Sequence, residues 1–514
     1  MREVSTLELR RKSGIKPSTV FIYAVMFLFF SPLAGIYSMS GMVGDTAIQI
    51  KIGLDDLSMG RLLTEEIYSW HEGLVFTAHE SGWYLLLGIM YKLFKIWGVV
   101  AVGAVFNYAT GCTALSYNKD KAHPFMVAVV IVLTQFLNGY PDYNVRPSVT
   151  SIFAVTLLVV AFMKDMKSVT RSVIFAVCCF FMGWLQGGML PLYLVLFVVF
   201  IVIELLYRNF RDAGILGAGL VAGFITSLLN PMGIRCYTFG MIQSTATDIW
   251  AMVDEWNPMH FNILQILLIL LVFVGFIVGD GIRKFDRKQI TELALLCMFF
   301  ILTCVYKRFV AYYSVLFLLF APEQLQRLLT WFVSTVLKVR KEIKLDFSGS
   351  LYGILTGACA VMLIALGFMY IPRFLPTGTM ADIEAMAAYD PQAVAFVKER
   401  GYERMFNSFN TGTWLAFNDV KVHIDNRIDP YLEEFSGVDY IRDQMNCSTI
   451  ADMDVFRARH DCDAFFLDMP DGYSYLLYEI ERYAPDRYRI VYDNVVESTI
   501  PEVANTRFVI IECI

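Results

Sequence analysis

Residues 40–83, which run from "SGMVGDTAIQ" to "HESGW", gather Asp45, Glu65, Glu66, His71, Glu72, His79 and Glu80 within one stretch. Carboxylates and imidazoles are the side chains that accept and return protons near neutral pH. A second stretch, "NGYPDYNVRPS" at 138–148, adds Asp142 and Arg146, and later ones add Asp254, Glu255, His260, Lys307 and Arg308. Together these are the parts needed to move a group off a phosphate: a carboxylate to deprotonate the acceptor and positive charge to stabilise the departing phosphate. Arg146 or Arg308 suits that second task, because a planar guanidinium bonds two phosphate oxygens at once. Asp45 and Asp142, on separate loops, could also hold a divalent metal, Mg²⁺ or Mn²⁺, against the leaving group.

The surrounding chain decides where such a site can sit. Of its 514 residues, 57% are hydrophobic and only 18% charged, and the mean hydropathy is +0.54. Those values indicate an α-helical polytopic membrane protein. A basic leader at 1–18 precedes an apolar run at 19–37, and further runs of spanning character lie near 98–117, 124–139, 148–163, 172–186, 188–206, 214–230, 261–279, 289–305, 309–322 and 350–371. That makes about eleven spans when ~20 residues cross the hydrocarbon. The basic connections, such as Lys164 to Arg171, Arg208 with Arg211, and Arg283 to Lys288, share the leader's side only if "WYLLLGIMYKLFKIWG" at 83–98 lies along the interface without crossing. On that reading the N-terminus is cytoplasmic in a plasma (inner) membrane, and 38–97 form a large first outer loop. Residues 372–514 then form an extracytoplasmic domain with alternating helix-like and strand-like segments, an α/β pattern. Cys447 and Cys462 in that region could pair in an oxidising compartment.

The arrangement resembles the GT-C glycosyltransferases, membrane enzymes that transfer a sugar from a polyprenyl-phosphate donor. In that superfamily the long first outer loop opens on an acidic residue, matched here by Asp45 in "GDTA", and a second acidic motif follows the third span, matched by Asp142 in "YPDYNVRP". Toward the end, "SFNTGTWLAFNDVKVHIDNR" looks like a relative of the oligosaccharyltransferase "WWDYG" region, with Gly412 and Asp425 in place but Ser408, Phe409 and Asn410 where Trp, Trp and Asp would stand. A nearer resemblance is to a group of bacterial multispan proteins with collinear blocks. Those blocks appear here as "DTAIQIKIG", "HESGW", "RP" (146–147), "NPMG", "EW" (255–256) and "GTWL…HIDNR", with Gln49 at a position usually held by His.

The resemblance implies transfer of a sugar from a polyprenyl-phosphate-linked donor to an extracytoplasmic glycan, lipid or protein of the cell envelope. Asp45, Asp142, His79 and Glu80 are then the candidate catalytic residues, and Arg146, Arg308, Gln186 and Trp256 the candidate donor contacts. Plainer readings stand beside these. Asp45 can solvate a helix end, Glu65 and Glu66 can be first-turn helix acids, and adjacent His-Glu pairs point apart on a helix. Arg308 can snorkel, Gln186 can cap a helix, Trp256 can belong to an interfacial belt, and Asp425, Arg427 and Asp429 can be strand-end scaffolding. A scaffold that binds glycan or polyprenyl lipid without turnover is the alternative function. Walker, GxSxG and EF-hand motifs are absent, and no basic stripe suggests nucleic acid.

Overall fold

The computed structural model describes residues 45–118, 121–138, 145–245, 254–280, 285–336, 390–445, 447–469, 474–496 and 506–514, with isolated positions at 354, 357, 358, 361 and 365. Asp142, the run at 19–37 and most of 350–371 lie outside the described residues.

The stretch read as one irregular loop contains a helix. Asp45 opens α1 (Asp45–Met59), where a carboxylate complements the positive end of the helix dipole. An irregular connection at 60–80 follows, and α2 (Ser81–Asn118) then runs through the 83–98 segment, with a break at Lys95, φ 56° and ψ −146°. The break divides the amphipathic first part of α2 from its apolar second part. α1 crosses α2 closely because both carry glycine at the crossing: a Cβ on Gly53 would fall 1.9 Å from the Tyr84 carbonyl oxygen, and one on Gly88 would fall 2.4 Å from the Gly53 carbonyl carbon. The crossing sets Asp45 and Glu80 in fixed relation.

The apolar runs become α3 (Pro124–Asn138), α4 (Ser148–Met163), α5 (Ser168–Leu185), α6 (Leu190–Leu206), α7 (Phe210–Ser227), α9 (Ile263–Asp280), α10 (Arg287–Val305) and α11 (Val310–Trp331), with a short helix, α8 (Arg235–Thr245), in the connection between α7 and α9. Among the described residues, four stretches are long and apolar enough to cross a bilayer: Ser81–Asn118, Ser168–Leu185, Gly187–Leu206 and Arg287–Val305. Ser148–Met163 and Ile263–Val278 are shorter apolar helices. Local signals place several ends. Asp286 and Gln289 form a reciprocal capping box at the start of α10, and Asn230 of "NPMG" accepts from the backbone of Met232 and Gly233 at 2.7 and 2.9 Å, closing a turn before α8.

After residue 390 the chain forms α12 (Pro391–Arg400), β1 (Met405–Asn407), α13 (Phe409–Phe417), α14 (Tyr440–Met445), α15 (Ile450–His460), β2 (Ala464–Met469), α16 (Ser474–Tyr483), β3 (Tyr488–Val496) and β4 (Thr506–Cys513). The sheet order is β1-β2-β4-β3; β1 and β2 are parallel and the other pairs antiparallel. Alternation divides the strands between two cores. Phe406, Phe465, Val509 and Ile511 face a cluster with α15 and α16. Met405, Ala464, Phe466, Phe508 and Ile510 join a second cluster that includes Ile48, Ile52, Trp83, Tyr84 and Leu87 from α1 and α2. One face of the sheet is therefore shared with the N-terminal third of the chain. The seam continues in a parallel bridge between Ser69 and Val422, with Val422 N donating to the Tyr68 carbonyl at 2.9 Å and Trp70 Nε1 to the Met405 carbonyl at 2.9 Å.

The cysteine expectation changes. Cys447 and Cys462 are both free thiols, and Cys462 is hydrogen-bonded to Cys513 at the end of β4, which with burial raises the Cys462 thiol pKa.

Candidate active site

Three distant stretches converge on a cavity of about 410 Å³, lined among others by Asp45, Gln49, His79 and Glu80 from the first, Arg146, Glu255, Trp256 and Arg308 from the loops of the bundle, and Asn426, Arg427 and Asp429 from the C-terminal part.

Asp45 stands at the mouth, its side chain 35% exposed, with Arg146 Nη2 at 3.4 Å from its Oδ2. Arg146 Nη1 donates to Glu255 Oε2 at 2.8 Å, so one guanidinium serves two carboxylates. Burial raises the Asp45 pKa against the pull of Arg146, and Glu255 and Glu80 raise it further. The residue is therefore a better proton acceptor than an ordinary surface aspartate. Arg308 differs from Arg146. Its guanidinium lies over the Trp256 ring, 4.6 Å from the centroid, and it has no carboxylate partner among the described residues. Trp256 is buried in an apolar cluster with Ile424, Ile428 and Tyr431, which makes it a platform for Arg308.

On the inner wall, His79 lies between two acids. Its Nε2 is 3.4 Å from Glu80 Oε1 and its Nδ1 3.7 Å from Asp429 Oδ2; Nδ1 is also 3.1 Å from the Thr77 carbonyl. Phe239 stacks on the ring at 4.0 Å. Gln49 Nε2 donates to Glu80 Oε2 at 3.2 Å while its Oε1 accepts from Trp83 Nε1 at 2.9 Å. The glutamine thus orients Glu80 at a position where a histidine was expected. Burial alone would lower the His79 pKa, but the charge and hydrogen bond of Glu80, with Asp429 and the Thr77 carbonyl, hold it up at about 9. Burial pushes Asp429 up to about 7, against His79 and the Thr77 hydroxyl, which donates to it at 3.0 Å.

Both folded values exceed the unfolded ones, so both groups stabilise the protein at low pH and lose that contribution as pH rises. The Asp429 share is lost between about 4 and 7, and the His79 share between 6.5 and about 9. Between pH 7 and 9 the wild type should therefore lose a few kcal/mol through His79. Thermal melts across that range should show the decline, and His79→Gln should flatten it; an unchanged decline in the variant would place its origin elsewhere.

Behind the wall lies a buried charge cluster. Arg427 Nε donates to Asp425 Oδ1 at 2.8 Å, its Nη2 donates to Glu66 Oε1 at 3.0 Å, and its Nη1 also bonds Glu66. Tyr431 OH donates to Asp425 at 2.9 Å, and Glu66 accepts from the backbone of Tyr68 and Ser69 at 2.7 and 3.0 Å. Glu66 is thus a buried clamp, contrary to the reading as a first-turn helix acid. Arg427 and Asp429 likewise belong to the cavity wall, whereas the sequence reading favoured strand-end scaffolding.

Gln186 is buried at the end of α5 and does not line the cavity. Its neighbour Gly187 donates its N–H to the His79 carbonyl at 3.0 Å, and a Cβ there would meet Cys236 Sγ at 2.6 Å. His71 does not join the site; its Nε2 lies 2.8 Å from His423 Nδ1. The described residues contain no group of three or more His, Cys, Asp or Glu side chains placed to hold a metal, and the cation beside Asp45 is Arg146. Asp142, the carboxylate expected to share such an ion with Asp45, lies outside the described residues.

No protein-family model matches the chain, and no curated protein matches it. Solved structures do. The Archaeoglobus fulgidus oligosaccharyltransferase in its apo form superposes with a TM-score of 0.53 at 11% identity, over 89% of this chain and 70% of that one. The same archaeal enzyme, AglB, in complex with an inhibitory peptide and a dolichol-phosphate gives 0.55 at 10% identity over the same shares. ArnT from Cupriavidus metallidurans in the apo state gives 0.51 at 13% identity, over 95% of this chain and 97% of that one. At such identities the likeness is one of architecture: the chain has the fold of the GT-C membrane glycosyltransferases.

Proposed function

We propose that the protein transfers a sugar from a polyprenyl-phosphate-linked donor to an acceptor on the extracytoplasmic side of a membrane. The observation that carries this reading is the cavity in which a carboxylate of raised pKa, Asp45, shares one space with Arg308, a cation without a carboxylate partner among the described residues. Related folds support the donor class: AglB has been solved with a dolichol-phosphate. The basic connections described above support a cytoplasmic N-terminus, and with an odd number of spans the C-terminal residues 372–514 lie outside.

In the reaction, Asp45 takes the proton of the acceptor's nucleophile as that atom forms a bond to the sugar's anomeric carbon. The bond from that carbon to the phosphate oxygen breaks, and the phosphate departs with the electron pair. Arg308 binds the phosphate and stabilises the charge that develops on it. Arg146 fixes Asp45 against Glu255, and the His79–Glu80–Asp429 group shapes the inner wall. Asp142 is assigned a second acidic role and, with Asp45, a place beside a divalent metal if one is used.

Arg308→Ala tests the phosphate contact. Losing a charge-assisted hydrogen bond of about 1.5–3 kcal/mol should raise the KM for polyprenyl-phosphate-sugar roughly 10- to 100-fold, with a smaller effect on kcat. Donor consumption by detergent-purified protein measures it, and an unchanged KM would remove Arg308 from the site. The alternative is a scaffold that binds glycan or polyprenyl lipid, and binding of the lipid-sugar with no turnover under any condition would favour it.

A further inference from the structure

The end of the bundle remote from the cavity has a site of its own. α5 ends against His79 through Gly187 and contains 18 residues, so its beginning lies about 27 Å away at 1.5 Å per residue. There a groove of about 790 Å³ opens, lined by Lys167, Arg171, Arg208, Arg211 and Arg287 with only Asp165 and Asp212 as lining carboxylates.

Its floor is built, not accidental. Glu204, buried, accepts from Arg171 at 3.1 Å, Arg287 at 2.6 Å and Asn209 at 2.7 Å. Arg287 and Lys288 also pair with Asp165. Arg171 is 5% exposed, and its Nε has no hydrogen-bond partner among the described residues. A buried guanidinium N–H left open costs free energy unless something accepts from it. On the rim, Lys167, Arg208 and Arg211 are exposed and form no ion pair among the described residues.

Two helix N-termini point the same way. α5 begins at Ser168 and α7 at Phe210, both at the groove, and neither is capped by a side chain among the described residues. Their first backbone N–H groups lack intrahelical acceptors, and the positive ends of both dipoles add to the field. Uncapped helix starts and unpaired rim cations, set over a buried guanidinium–carboxylate pair, are together the chemistry of a phosphate receptor.

The surroundings decide which phosphate. Val169 lines the groove, and from it Val173, Val177 and Phe181 continue along α5 at four-residue intervals, all exposed; Phe210 on the rim is exposed as well. Residues four apart lie on one helix face, so an apolar strip descends from the charged groove along a helix of membrane-spanning character. We propose that this groove binds the phosphate of an anionic phospholipid headgroup, with an acyl chain lying on the Val169–Phe181 strip. The site is separate from the donor cavity and belongs to the opposite leaflet.

Thermal melts of the full-length protein in neutral detergent test this with three additives: dioctanoyl phosphatidylglycerol, dioctanoyl phosphatidylcholine and inorganic phosphate. Phosphatidylglycerol should raise the Tm of the wild type while the other two do not. In the R208Q/R211Q double variant, which leaves the Arg171–Glu204–Arg287 floor intact, the concentration needed should increase roughly 30-fold, at ~1 kcal/mol per cation. If inorganic phosphate alone matches phosphatidylglycerol and the double variant abolishes both effects, the groove is a free-phosphate site and the lipid assignment falls. Equal responses to the two lipids, equal responses of wild type and variant, or no response to either anion would overturn the site altogether.

Discussion

Asp45→Asn should lower kcat by about 10²–10⁴-fold, the usual worth of a positioned general base, and leave donor KM within a few fold. Asparagine keeps the size of the side chain and can still accept from Arg146, which bonds Glu255 independently, so the cavity should keep its shape. What it loses is basicity. Because burial and two nearby carboxylates raise the Asp45 pKa, the acid limb of the wild-type pH–rate profile should lie above the ordinary carboxylate range, and activity should rise with pH as the group ionises. The variant's residual activity should lack that limb. Turnover of polyprenyl-phosphate-sugar by purified protein, measured at several pH values, tests both statements; unchanged kcat would remove Asp45 as the base.

The second large effect is on stability. Arg427→Met removes the only cation between Glu66 and Asp425 seen among the described residues and leaves two buried carboxylates facing each other. Breaking a buried pair from one side costs about 3–5 kcal/mol, because the remaining charge has nowhere to go. The Tm should fall by several degrees. Activity should fall with it, since Asp429 lies two residues along the same segment and faces His79. Adding Glu66→Gln and Asp425→Asn to Arg427→Met should recover part of the lost stability, whereas a merely crowded site would show no recovery. An Arg427→Met melt identical to wild type would mean that the cluster holds nothing together.

Much of the helical layout could be read directly, because runs of apolar residues bounded by Asp, Asn, Pro and Gly state where helices begin and end. The convergence of Asp45, His79, Glu80, Arg146, Trp256 and Arg308 on one cavity was also accessible, since all of them fall in loops expected on one face. The partners from residues 425–429 were not. Nothing local reports that Val422 pairs beside Ser69 or that Arg427 reaches Glu66, because register between segments some 350 positions apart is fixed only by the folded core. Glu66 looked like helix decoration for the same reason: its burial comes from a partner far along the chain. Gln49 looked like the loss of a histidine, and only the geometry reveals that it bridges Glu80 and Trp83. One signal was available: "HIDNRID" places two acids, a histidine and an arginine within seven residues beside an apolar segment, a density of charge that a simple turn does not need.

The joint core formed by α1, α2 and the sheet has a consequence for biogenesis. Ile48 and Trp83 emerge from the ribosome early, whereas Phe508 and Ile510, which cover the same core, emerge last. At ordinary elongation rates of about 5–20 residues per second, the first helices wait roughly 20 to 90 seconds for their cover. A chain stalled or truncated before this strand therefore carries α1 and α2 but lacks the side chains that cover the core they share with the sheet.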